Sequence, residues 1–390
     1  MTRTLLPSSI SIAPLAAGLA SLAGLASLMG GAGCESSPYS AGRNRSTSER
    51  SAGLPVNYDD YGRLGYLLAW KGYPSVTGSL PIKFFEPYDD IVVTLEGGSK
   101  VAILDAISST QRCADQLANP LSRFVGLARS GDRILAAGEA ELFTIDAKTC
   151  TVLARRNYEK IVGTEPALVG DLIFFGTNSG ELVGLRSFGA AAGTKAWGIA
   201  GNGAFTRKPI IIGSAVGAVS TTGDIIFADA ATGSLLGRNK IFNGANGDPV
   251  TDGNLMFVSS LDQSVYAFNP LGASVVWRHR TDRPLHAQPT VHDGRLFAAI
   301  PGPGLRAFEA ATGNVLWTCA GFEGVVVAVT RGRLLAWDGK EAVLIDPARG
   351  DIIERSTLKG VSKMKPDRFV DGNLYVVSNT GVVAKFAPRR

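Results

Sequence analysis

Eight copies of one short pattern recur along this chain about every forty residues. They read VAILDA (ending at Ala106), LFTIDA (Ala147), LVGLRS (Ser187), IIFADA (Ala230), VYAFNP (Pro270), LRAFEA (Ala310), AVLIDP (Pro347) and VVAKFA (Ala387). Their fifth positions are Asp105, Asp146, Arg186, Asp229, Asn269, Glu309, Asp346 and Phe386, separated by steps of 41, 40, 43, 40, 40, 37 and 40 residues. A strand-like repeat with this period is the signature of radially arranged blades, one four-stranded sheet per period. The expected fold is all-β: an eight-bladed β-propeller of antiparallel blades.

The clearest copies show the plan of a blade. Residues 289–317 (PTVHDGRLFAAIPGPGLRAFEAATGNVLW) give strand A, an HDG turn, strand B, a PGPG turn, strand C, an AATG turn and strand D, and residues 249–277 repeat the plan. Asp-Gly supplies a residue that tolerates positive φ in a tight hairpin turn. Pro166, Pro209, Pro249, Pro289 and Pro366 each stand 20 residues before a fifth position. There they are expected to open strand A, where a missing N–H is tolerated. Trp277 and Trp317 follow the fifth position by eight residues, Trp197 by eleven after a three-residue insertion, and Cys113 takes the same slot in the first copy. These indoles are expected to pack an outer strand against the next blade. The eighth copy ends before a strand D, whereas residues 64–70 (LGYLLAW) precede the first copy. The N-terminal strand is therefore expected to close the last blade and remove a free edge.

The chain start has a different composition. Arg3 precedes an apolar, small-residue run at 10–33, the composition of an export signal; the run is also long enough to be an uncleaved anchor. Gly31, Ala32 and Gly33 lead into Cys34, which resembles the lipidation site of bacterial lipoproteins except that Gly31 stands where Leu is usual. Ordinary signal cleavage is the alternative. Residues 35–53 are rich in Ser, Gly and Arg and cannot build a core; as flexible chain they would span about 25 Å. The expected organisation is a signal peptide over 1–33, a tether over 34–60 lipidated at Cys34, and a propeller over 61–390. The protein is expected on the periplasmic side of the outer membrane, or free in the periplasm if not lipidated.

Apolar residues make up 45% of the chain and charged ones 19%, with 47 glycines to serve many tight turns. A net charge of +5 without long basic blocks argues against nucleic acid as a partner. Cys113 and Cys150 lie in neighbouring repeats and could pair in an oxidising compartment; buried thiols are the simpler alternative. His279, His286 and His292 invite a metal hypothesis. However, six residues of extended chain put His286 and His292 about 20 Å apart, so they are expected at the surface, with no metal. Nucleophile-elbow, zinc-protease and phosphate-loop patterns do not occur.

Strand C followed by D-A-x-T-G-x-x-x-W, seen at 228–237 (ADAATGSLLG) and 308–317 (FEAATGNVLW), resembles the repeat of pyrroloquinoline-quinone dehydrogenases and of related propeller lipoproteins. The dehydrogenases of that resemblance hold their quinone with a vicinal disulfide, a stacking Trp, calcium ligands and an Asp base. This chain has no adjacent cysteines and its blades are too short for the insertions that build such a pocket, so neither quinone, other cofactor nor catalysis is expected. An exported, tethered propeller with short loops resembles the BamB family of lipoproteins in the outer-membrane barrel-assembly machinery. That resemblance implies a monomeric, non-catalytic scaffold for envelope proteins, reaching the membrane through its lipid. A propeller that recognises a polysaccharide or another ligand is the alternative, and a quinone-dependent dehydrogenase a more remote one. Residues preceding the strand-A prolines, Glu165, Lys208, Asp248, Gln288 and Lys365, are expected to ring one mouth of the axis, either as solvated entry loops or as a partner-binding surface.

Overall fold

The computed structural model describes residues 58–75 and 80–389; the expected signal segment, Cys34 and nearly all of the expected tether lie outside the described residues. The described residues form eight four-stranded antiparallel sheets. Seven are continuous in sequence, at 82–116, 124–157, 167–200, 210–240, 250–280, 290–319 and 325–357. The eighth has the order β1 (Tyr66–Gly72), β32 (Val383–Pro388), β31 (Leu374–Ser378), β30 (Val361–Pro366). The chain's beginning therefore supplies the outer strand of its last blade, as expected. Lettering strands A to D along each blade, the A strands of most neighbouring blades touch one another, including β30 against the first blade, which closes the ring at its hub.

Burial follows from this arrangement. Strands B and C are covered on both faces by adjacent blades and read as nearly continuous apolar runs, for example Leu172–Gly176 and Met256–Ser260. Outer D strands alternate between covered and exposed positions, as in Val275–Arg280. Each apolar cluster bridges blades: Ile91, Val93 and Ile103 of the first pack with Phe124, Ile134 and Phe143 of the second. At the closure, helix α1 (Tyr58–Arg63) straddles the boundary at residue 60 and lies against the seventh and eighth blades. Tyr61 stacks on Phe386 with ring centroids 3.7 Å apart, and the Arg389 amide donates to the Gly65 carbonyl at 2.7 Å.

The acidic fifth position has a structural cause. Asp105 Oδ1 accepts the amides of Ile107 and Ser108 at 2.9 and 2.8 Å, and Asp146 Oδ1 those of Lys148 and Thr149 at 2.8 and 2.9 Å. Asn269 and Asp346 do the same for the turns that follow them. The residue holds the C–D turn through its own side chain. These donors also hold the Asp146 and Asp229 carboxyls below the usual carboxylate range. In the last copy the register corrects the alignment by one residue. Trp70 pairs with Lys385, as Trp277 pairs with Ala267, so the equivalent of Asn269 is Ala387 rather than Phe386. No C–D turn follows Ala387, because strand D arrives from the other end of the chain, and an acceptor side chain has nothing there to hold.

The tryptophans lock blade to blade. The indole N–H of Trp70 donates to the Ala106 carbonyl at 3.1 Å, Trp197 to Ala230 at 2.9 Å, Trp277 to Ala310 at 2.8 Å and Trp317 to Pro347 at 2.8 Å. In each case the acceptor follows the next blade's fifth position. In the last three the ring also covers a glycine of that C–D turn: a Cβ on Gly313 would lie 2.5 Å from Trp277, and Gly313 has φ +76°. Cys113 occupies the Trp slot of the first blade, and Cys150 stands where the second blade would carry that glycine, with φ +58°. The two form a disulfide, so the reading as buried thiols is corrected, and Cys319 is buried and free.

Candidate functional site

Two kinds of A strand line the axis. Those of the third to sixth blades are short, for example Ala167–Val169 and Ile210–Ile212, and each follows its proline directly. Those of the first, second, seventh and eighth blades run six or seven residues with a bulge, for example Ile82–Pro87 and Val361–Pro366. Pro366 therefore closes its strand rather than opening it, which corrects the sequence reading. Lys365 lies inside the strand, paired with Tyr375, and lines the same cavity as Glu165.

Four of the five residues expected at the mouth meet in one charged cluster. The Lys208 amide donates to Asp248 Oδ1 at 2.9 Å, and Lys208 Nζ lies 4.0 Å from Glu165 Oε2. Lys365 Nζ donates to Glu86 Oε1 at 2.6 Å, across the junction of the eighth and first blades. Gln288 is exposed and joins neither contact. Two cavities lie along the hub. One of about 510 Å³ is lined by residues of five blades, among them Glu86, Tyr88, Leu127, Lys208 and Val250. The other, about 270 Å³, includes Lys83, Glu86, Glu165, Trp337, Lys363 and Lys365. The indole N–H of Trp337 is buried there without a hydrogen-bond partner among the described residues.

Burial sets the electrostatics of this hub. It pushes the Glu165 carboxyl up, against the pull of Lys208 and Lys365 and with the push of Glu86 and Asp248. Burial likewise draws the Lys363 ammonium down, with Lys365 adding to the effect. Because the folded chain holds the Glu165 proton more tightly than the unfolded chain, ionising that group costs stability as pH rises through its raised range. Glu165→Gln is therefore expected to raise the urea midpoint at pH 7 and to leave it unchanged at a pH where Glu165 is protonated. An equal shift at both pH values would contradict this assignment.

Sequence reading missed Glu86, Lys83, Lys363 and Trp337. A signal for Glu86 existed: Glu86-Pro87 is a charged-residue-proline pair like Glu165-Pro166 and Lys208-Pro209, but it stands 18 rather than 20 residues before its landmark. The same end of the ring carries large apolar side chains on the connections between blades. Leu121, Ile161 and Phe242 are 88%, 53% and 85% exposed. The histidines do not converge into a site. His286 is exposed, whereas His279 and His292 are half-buried, against Phe308 and Phe369, which corrects the expectation that all three are surface residues. Among the described residues no group of three or more His, Cys, Asp or Glu is placed to hold a metal. The hub does not fit the quinone arrangement described above: the chain's disulfide joins residues 37 apart on outer turns and strands, away from the axis.

Comparisons with known proteins agree on the architecture. The family model described as outer membrane protein assembly factor BamB matches residues 184–317 and 221–384, together just over half of the chain. BamB of Burkholderia pseudomallei (strain K96243) is 28% identical over 116 residues, 30% of this chain and 30% of its own length. BamB of Bordetella pertussis (strain Tohama I) is 27% identical over 176 residues, 44% of this chain and 43% of its own. The match thus spans less than half the length of these curated relatives. The crystal structure of BamB from Moraxella catarrhalis superposes with a TM-score of 0.64 at 16% identity, covering 83% of this chain and 97% of that one. The computationally designed Ika8 protein superposes with a TM-score of 0.66 at 11% identity, covering 79% and 96%. At such identities the structural likeness speaks to the fold alone.

Proposed function

The chain belongs to the family described as outer membrane protein assembly factor BamB, and on that premise we propose that it is a non-catalytic propeller scaffold that binds protein partners during outer-membrane protein assembly. The observation that carries the proposal is the combination found at one end of the ring. A charged axial hub built from Glu86, Glu165, Lys208, Asp248 and Lys365 is accompanied by the exposed apolar side chains of Leu121, Ile161 and Phe242 on three of the connections between blades. Large apolar anchors beside positioned charges are the composition of a protein-binding surface: the anchors supply affinity, and the charges orientation and selectivity. A closed ring holds these loops on a rigid frame, so little ordering entropy is lost on docking.

The proposed location is the periplasmic side of the outer membrane, with Cys34 carrying a lipid and the residues between it and helix α1 acting as tether. The Cys113–Cys150 disulfide supports an oxidising compartment. The test is a crosslinking pull-down from membranes with the wild-type chain and with Lys208→Glu/Lys365→Glu. The double variant is expected to recover at least tenfold less of a co-purifying outer-membrane assembly component. Unchanged recovery would remove the hub from the partner surface. Recovery of glycans with no protein partner would replace the scaffold reading with a ligand-recognition one.

A further inference from the structure

The opposite face of the ring holds a second feature, independent of the axial hub. In the eighth blade the connection between strands A and B is seven residues long, 367–373, where the sixth and seventh blades use two. It leans on the seventh blade as a short parallel bridge: the Val329 amide donates to Phe369 O at 2.7 Å and the Asp371 amide to Val329 O at 2.8 Å. Within it the Asn373 amide and side chain donate to the two oxygens of Asp367 at 2.8 and 2.6 Å. Asp371 has φ +48°, and a Cβ on Gly372 would stand 2.1 Å from the Arg368 carbonyl oxygen. The Asp-Gly pair thus does not make the two-residue hairpin turn that the sequence suggests. It folds the loop onto its neighbour and fixes its shape.

That docking builds a cavity of about 500 Å³ between the loop, the seventh blade's A–B turn and the end of the chain. Its wall is Arg331, Arg368, Asp371, Asn373, Ala387, Pro388 and Arg389. Three arginines and one aspartate line it, and that carboxylate is engaged, because Asp371 Oδ1 accepts the Arg331 backbone amide at 2.7 Å. Among the described residues none of the three guanidinium groups makes an ion pair or a side-chain hydrogen bond. Most arginines elsewhere on this ring do make one, for example Arg112 with Asp105 and Arg238 with Asp224.

Unpaired guanidinium groups around one cavity form a fork-shaped array of donors suited to a tetrahedral oxyanion. We propose that this cavity binds a phosphate group, carried either by an anionic phospholipid headgroup or by a free phosphate compound. Val370, 48% exposed in the same loop, gives an apolar neighbour to an amphiphile.

The test uses the full chain and two probes: inorganic pyrophosphate by calorimetry, and sedimentation with vesicles of equal phosphatidylglycerol and phosphatidylcholine. Arg331→Ala/Arg368→Ala is expected to weaken binding of the active probe at least tenfold. Arg280→Ala/Arg283→Ala, which removes equal charge elsewhere, is expected to change it less than twofold. Vesicle binding that pyrophosphate displaces, or vesicle binding alone, assigns the site to headgroups; pyrophosphate binding alone assigns it to free phosphates. Since all four arginines are exposed, circular dichroism and the urea midpoint should match wild type in both variants. Arg331→Lys/Arg368→Lys, which keeps the charge and removes the forks, should restore less than half of the lost affinity. Binding of neither probe, or equal loss in both double alanine variants, overturns the proposal.

Discussion

Deleting residues 58–72 is expected to abolish the cooperative fold and leave a chain that aggregates. That segment contributes the buried side chains of Tyr61, Leu64 and Tyr66, each stabilising by about 1.5–3 kcal/mol. It also contributes the backbone pairing of Tyr66 through Gly72 with β32 and the Trp70 bond to Ala106, which ties the eighth blade to the first. The sum is comparable with the whole stability of an ordinary domain, about 5–15 kcal/mol, less the entropy of ordering the segment. What remains exposes the β32 edge, and an open edge flanked by apolar residues templates association with other chains. Size-exclusion chromatography and urea unfolding check this. The deleted chain should elute in the void volume, and a synthetic peptide of residues 58–72 should return part of it to the monomer position. A monomer with an unchanged midpoint would show that the ring does not depend on its leading strand.

The ring and its closure were legible because they rest on local chemistry repeated eight times. An acceptor side chain holds six of the C–D turns, and where the pattern loosens there is a physical cause. Arg186 stands before a longer turn, lengthened by the insertion that moves Trp197, and it pairs with Asp171 instead. Ala387 has no turn to hold. The hub was only partly legible. Spacing from a C-strand landmark locates a residue along the chain, but the longer A–B loop of the eighth blade shifts Lys365 against that landmark, and Glu86 lies two residues deeper in its strand than Glu165. The 2.6 Å contact of Lys365 with Glu86 joins residues 279 positions apart, and no periodicity within one copy encodes it. Likewise the arginine cavity forms where loop 367–373 leans on another blade. Its residues are unremarkable in sequence and become a site through docking alone.

Breaking the Cys113–Cys150 bond is expected to lower stability by about 2–4 kcal/mol, because the bridge closes a loop of 37 residues in the unfolded chain. The structure adds a second consequence. Four blade junctions are held by a tryptophan that donates to the next blade's turn, with a glycine under the ring at three of them: Gly233, Gly313 and Gly350. The first-to-second junction has the cysteine pair in those two slots. Cys113→Ser/Cys150→Ser therefore loses the bridge, gains no packing, and keeps a side chain at the positive φ of residue 150. Cys113→Trp/Cys150→Gly should recover most of the loss. Its indole would find the Ala147 carbonyl, the counterpart of Ala230 and Ala310, and glycine adopts the left-handed conformation without strain. Urea midpoints with and without dithiothreitol distinguish these effects. Wild type should fall to the level of the serine pair on reduction, whereas the Trp-Gly variant should stay between them and ignore the reductant. If the Trp-Gly variant is no more stable than the serine pair, the two junction types are not equivalent, and the bridge acts through the unfolded chain alone.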